Sequence, residues 1–174
     1  MTIALHGDQE VIRLQPLAIT TVALAVGTTN LLRNAAIPER AWEAFDKGVT
    51  LLKLKSDSRG ATVQFERAKM VFPGYFEAYA QMGVGYDSLG DAALAEKSFR
   101  KSIEVSSGKY TDPLFSLAEM FNDSGRFADA EQAARQGITS ESGSSRGHFE
   151  LARALVGLNQ DAEAEPFAIQ ARDL

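Results

Sequence analysis

The sequence predicts an α-helical solenoid of about four stacked hairpins, preceded by a short N-terminal β-hairpin and extended segment. Three observations lead there. Alanines recur at Ala61, Ala95, Ala130 and Ala164, 34 or 35 residues apart, and a period of that size marks stacked helix–turn–helix units. The last three units place the same large and small residues ahead of that alanine: Tyr79-x2-Met82-Gly83-x2-Tyr86, Leu114-x2-Leu117-Ala118-x2-Phe121 and His148-x2-Leu151-Ala152-x2-Leu155. Between the two halves of each of these units stands a breaker: Gly90, Gly125 or Asn159.

The chain opens differently. Thr2-Ile3-Ala4-Leu5 and Glu10-Val11-Ile12-Arg13-Leu14 flank His6-Gly7-Asp8-Gln9, a hairpin pattern with a glycine-containing loop. Pro16 ends the second run, and Ile19 to Val26 is rich in β-branched residues, predicting a third extended segment. A β appendage over 1–30, a connector over 31–37 and a helical array over 38–174 is the expected division. A lone hairpin is marginal in water, so the appendage needs a surface to lean on.

Pro38 suits the first turn of a helix, and Ala41 to Leu54 carry Trp42, Phe45, Val49 and Leu52 at helical spacing. The phase of this first helix is open: either Phe45 or Ala44 takes the large-residue position, the latter requiring one extra residue within 53–59. Gly60 to Phe72 reads as its partner, stopped by Pro73-Gly74. Units over 41–74, 76–109, 111–144 and 145–174 follow, with one extra residue between the second and third. In the second unit Gly83 lets the following helix come close, Asp91 offers a helix start after Gly90, and Ala95 and Phe99 face inward. Pro166 falls inside the last helix and is expected to bend it.

These residues closely resemble the tetratricopeptide repeat (TPR), over roughly residues 38–174. The layout of a β-hairpin ending in Leu14-Gln15-Pro16-Leu17, then Leu32-Arg33 and Ile37-Pro38-Glu39-Arg40-Ala41, is similar to bacterial proteins that join a carboxypeptidase-regulatory-like β domain to a C-terminal TPR array. The resemblance implies a non-enzymatic interaction module that binds a peptide or protein segment in a concave groove lined by the first helices. It implies groove positions at Glu77, Ala80, Val84, Asp87 and Ser88, at Asp112, Phe115, Glu119, Asn122 and Asp123, and at Arg146, Phe149, Arg153 and Val156. Phe115 and Phe149 stand out: they are either exposed anchors or packing between neighbouring hairpins. Some TPR domains clamp a C-terminal carboxylate with Lys and Asn; Asp46 or Phe45, Gln81, Asp112 and Ser116 occupy those places, so that clamp is not expected. The groove reads as acidic in its middle and basic at its C-terminal end.

Composition bounds the remaining classes. Hydrophobic residues make up 45% and charged residues 24%, ordinary for a globular protein. A net charge of −5 argues against a dedicated nucleic-acid partner. No cysteine is present, which removes disulfides and thiolate chemistry without identifying a compartment. No run is long and apolar enough to span a membrane. Leu17 to Val26 resembles a signal-peptide core, but Asp8 and Glu10 precede it where positive charge is needed; a segment of a longer exported protein has the same look. Gly83-Val84-Gly85 is half a dinucleotide fingerprint placed mid-helix and reads as packing. His148 occupies a core position, and no serine has a nucleophile context. No catalytic residue, cofactor or metal is expected. A self-assembly unit, dimerising through the β segment or through the last helix, is the alternative to a peptide-binding groove.

Overall fold

Every described helical hairpin is closed by a three-residue turn whose middle residue is left-handed. A computed structural model describes residues 37–174, which form eight helices: α1 Glu39–Leu54, α2 Ser58–Val71, α3 Phe76–Ser88, α4 Ala92–Val105, α5 Asp112–Asp123, α6 Phe127–Ser140, α7 Ser145–Gly157 and α8 Asp161–Asp173. The strands expected within 2–26 and most of the connector lie outside these residues. Residues 55–57, 89–91, 124–126 and 158–160 join the helices of each pair, and the middle residue is left-handed each time: Ser56 (φ 51°), Gly90 (76°), Gly125 (73°) and Asn159 (60°). Glycine takes that conformation freely and asparagine tolerates it, which is why these residues stand there. The N–H of Asp91, Arg126 and Gln160 donates back to Tyr86, Phe121 and Leu155 at 2.8–2.9 Å, capping each first helix.

The first hairpin shows where its extra residue went. Asp57 N–H donates to the Leu51 carbonyl at 2.9 Å, one residue further back than in the other three turns. The residue is therefore absorbed at the end of α1, ahead of Ser56. Packing agrees: a Cβ added at Gly48 would lie 2.5 Å from the Phe65 ring, as one at Gly83 would from Phe99. Gly48 is thus the counterpart of Gly83, and Ala44, not Phe45, takes the large-residue position. Phe45 turns aside to pack on Phe65 and Tyr75, with ring centroids at 5.6 and 4.8 Å.

The small residue on each first helix is matched to its partner on the second. The first two hairpins combine Gly48 with Phe65 and Gly83 with Phe99; the last two carry Ala118 with Ala134 and Ala152 with Ala168 at the same positions. Volume is traded between the helices, as a close-packed interior requires. The core follows from this register. One cluster runs from Ala95 and Phe99 through Leu117, Phe121 and Ala134 to Leu151, Leu155 and Ala164. A second joins Ala61, Phe65 and Met82, and Tyr86 packs against both.

Successive first helices touch one another (α1 on α3, α3 on α5, α5 on α7), while the second helices of neighbouring hairpins do not approach each other. Splayed outer helices around closer inner ones give a stack that is concave on the side of α1, α3, α5 and α7. Pro166 does not interrupt α8, which runs to Asp173. Its ring removes only a donor to the exposed first turn, where water replaces the bond.

Candidate protein-interaction face

The concave face is built from one side of α3, α5 and α7. On α3, Val84, Asp87 and Ser88 are exposed, Glu77 is half-buried and Ala80 is buried. The Ser88 hydroxyl donates to the Val84 carbonyl at 2.9 Å and so stays on its own helix. On α5, Asp112, Glu119 and Asp123 are exposed, with Asp112 in the first turn, where the positive helix end favours a carboxylate. On α7, Arg146, Phe149 and Val156 are exposed and Arg153 is half-buried.

Charges on this face pair across the hairpin boundary. Arg146 donates to the Glu119 carboxylate at 2.7 Å and to the Ser116 hydroxyl at 3.2 Å. Arg153 donates to Asp123 at 2.6 Å and to Glu150 at 3.0 Å. The reading of a groove acidic in the middle and basic at its end is therefore modified: the α7 arginines reach back and pair with Glu119 and Asp123 of α5. Asp112 of α5 and, toward α3, Asp87 make no ion pair among the described residues. Asp87 has its carboxyl held above the usual range, first by partial burial and then by the nearby Glu119 and Asp123 charges.

Three expected groove residues are interior: Ala80, Phe115 and Asn122. Phe115, expected as an exposed anchor or as packing, is packing: it is 1% exposed. A Cβ added at Gly137 of α6 or Gly147 of α7 would lie 2.3 or 2.6 Å from its ring, so both glycines are flattened against it. Asn122 is also buried, and its amide donates to both the backbone oxygen and the carboxylate of Glu150 at 2.9 Å. Burial raises the Glu150 pKa, opposed by the Asn122 hydrogen bond and then by the Arg153 charge. Sequence reading missed Glu150, Gly137 and Gly147. The repeat register only puts Glu150 level with Ser116, whose hydroxyl meets Arg146 of α7, so it gave no sign of the contact with Asn122 on α5.

Phe149 is the aromatic that stays open, at 52% exposure. It lies where the concave face meets the C-terminal end of the stack, with the Arg153 guanidinium 5.9 Å from its ring centroid. His148 beside it packs inward: its Nε2 meets the Ser142 carbonyl at 2.9 Å and its ring stacks on Phe167 with centroids 6.0 Å apart. Among the described residues no group of histidine and carboxylate side chains has the arrangement of a metal site. None of the described helices is long and apolar enough to cross a membrane.

These features have a family counterpart. Residues 76–108 match the tetratricopeptide repeat. The match falls on α3, α4 and the turn between them, the hairpin with Gly83 against Phe99. No curated protein matches the chain. Solved structures do: a crystal structure of MamA superposes with a TM-score of 0.70 at 16% identity, covering 99% of this chain and 95% of that one. MamA from Desulfovibrio magneticus RS-1, from residue 41 to its end, gives 0.70 at 16% identity over 79% and 77%. PilF of Pseudomonas aeruginosa gives 0.69 at 18% identity, covering 76% of this chain and 60% of that one. At such identities the likeness is one of fold: a TPR-like helical solenoid, an architecture that commonly serves protein–protein contacts.

Proposed function

We propose that the chain is a non-enzymatic interaction scaffold that binds a protein segment along the concave face, over α3 and α5. The observation that carries this reading is the uncompensated negative charge at Asp87, beside exposed Val84, on a face whose arginines are already committed to Glu119 and Asp123. A segment suited to it carries a lysine or arginine facing Asp87 and a small apolar residue over Val84. A cation there relieves the mutual repulsion of three carboxylates and needs no rearrangement of the ion pairs that join α5 to α7.

Calorimetric titration with two otherwise identical helical peptides, one basic and one acidic, tests this. The expected result is binding of the basic peptide alone, weakening with salt and weakening severalfold in Asp87→Asn. Equal affinity for both peptides, or full affinity in Asp87→Asn, overturns it.

A further inference from the structure

On the convex side of the stack, ion pairs bridge two of the three gaps between described outer helices. Arg126, at the start of α6, reaches Glu96 of α4 at 2.8 Å, and Arg135 of α6 reaches Glu163 of α8. The same two register positions between α2 and α4 hold Thr62 with Asp91 and Glu66 with Leu94. Neither is an ion pair, and the Asp91 carboxylate is used locally, accepting the Leu94 N–H at 3.1 Å. A ring loses its cover with the bridge. The Arg126 guanidinium lies 4.1 Å from the Phe121 centroid, whereas Tyr86, 35 residues before Phe121, has Asp91 in that place.

The result is an open groove. Between α2 and α4 the cavity measures about 810 Å³, against about 270 Å³ between α4 and α6. Its floor is Met82 with half-buried Tyr79 and Tyr86, and exposed Leu94 forms part of one wall. Described helices flank it on both sides, so it is open by sequence and not for want of a neighbour. The rim decides what fits. Glu66 pairs with Lys69 at 2.9 Å, Glu96 with Arg100 and Arg126 at 2.8 Å, and Glu104 with Lys101 at 2.6 Å. Every carboxylate lining the groove is thus taken. Lys97 lines it too and makes no ion pair among the described residues, and the Tyr79 and Tyr86 hydroxyls make no hydrogen bond there. One ammonium and two phenol donors stand over an apolar floor, and their complement is a carboxylate beside a large apolar side chain.

We infer that this groove binds an acidic amphipathic helix of a partner protein, laid between α2 and α4. Leucine or phenylalanine fills the floor, and a glutamate or aspartate meets Lys97. The lining on α4 runs from Ala93 to Glu104, about 17 Å along the helix axis, the length of about three turns. A helix of that length presents anchors at i, i+4 and i+7, the spacing by which amphipathic helices fill such grooves. The partner helix supplies between α2 and α4 the crossing contacts that Arg126 and Arg135 make elsewhere in the stack.

Calorimetric titration of the full chain with a synthetic acidic helix, carrying leucine and phenylalanine at i, i+4 and i+7, is the test. Saturable binding is expected. Exchanging the glutamates of the peptide for lysines, or its anchors for alanines, should each weaken binding at least tenfold, as should Lys97→Glu in the protein. Leu94→Arg sets a guanidinium opposite Glu66, installs the missing bridge and should abolish binding, with the circular-dichroism melt at or above the wild-type midpoint. No saturable binding, equal affinity for the lysine form, or full affinity in Leu94→Arg or Lys97→Glu overturns the inference. A Leu94→Arg chain that does not fold leaves Lys97→Glu to decide. Asp87 does not line this groove, so Asp87→Asn should leave the binding intact, and Leu94→Arg should leave the basic-peptide titration intact. The acidic peptide of that titration carries only small apolar residues and has no anchor for this floor.

Discussion

Phe115 and Phe149 are the same residue at the same place in consecutive hairpins, and they lead opposite lives. Phe115 is sealed by glycines from α6 and α7; Phe149 looks out over a cavity floored by alanines. The local sequence around them does not differ in any way that predicts this: each follows a core residue of a first helix, three positions ahead of the small alanine. What differs is what packs on each ring: Gly137 of α6 and Gly147 of α7 close on Phe115, whereas Phe149 borders an open cavity among the described residues. In a solenoid the fate of a first-helix residue is set one repeat downstream, so an aromatic of this register becomes core where a further hairpin stacks on it.

The sharpest way to break the comparison is to truncate both rings. Phe115→Ala should cost about 3–5 kcal/mol, the usual range for a buried phenylalanine, because the rigid glycine walls cannot collapse into the space. Phe149→Ala should change monomer stability by no more than about 0.5 kcal/mol. Urea denaturation of the two variants, done where the chain is monomeric, decides; comparable losses would mean that Phe149 is held as tightly as Phe115.

Overfilling makes the converse test. Gly147→Leu drives a side chain into the Phe115 ring and should cost about 1–3 kcal/mol or more, as should Gly83→Leu against Phe99. Ala171→Leu, at the open site, should be tolerated within about 0.5 kcal/mol. An unchanged thermal midpoint for Gly83→Leu would refute the close helix approach on which the whole register rests.

The polar positions sharpen the contrast further. Asn122→Ala leaves the buried Glu150 carboxylate short of a donor and should cost about 1–3 kcal/mol, whereas Val156→Ala should cost almost nothing. Glu150 also ties this junction to pH. Its folded pKa lies above the ordinary glutamate value of 4.5, so its contribution is fully present below that value and is lost as pH rises through the folded pKa. Glu150→Gln should remove that part of the stability–pH curve, read by melts from acid to neutral pH. The smallest effect belongs to the outer surface: Arg135→Ala, which loses exposed pairs with Glu131 and Glu163, should cost only about 0.2–1 kcal/mol, and Ile169→Ala less in the monomer.

Legibility followed the range of the interactions concerned. The turns were readable because Gly90, Gly125 and Asn159 stand where a left-handed residue is needed, within three residues of each helix end. The close approach of α3 and α4 was readable because Gly83 and Phe99 lie within a single hairpin. The phase of α1 was not, since Ser56 conceals the turn that glycine or asparagine marks elsewhere, and only the Leu51–Asp57 bond and the Gly48–Phe65 contact show where the extra residue sits.

By itself, then, the amino-acid sequence determined the hairpins, their period and the pairing of Gly83 with Phe99 inside the second one. Those features rest on helical periodicity and turn chemistry, which act over a few residues to half a repeat. The tertiary structure alone decided that Phe115 and Asn122 are interior, that Arg146 and Arg153 are spent on Glu119 and Asp123, and that Phe149 remains open. Each of these depends on a side chain about 30 positions away, delivered by the stacking of one hairpin on the next, and nothing within reach of the residue along the chain carries that information.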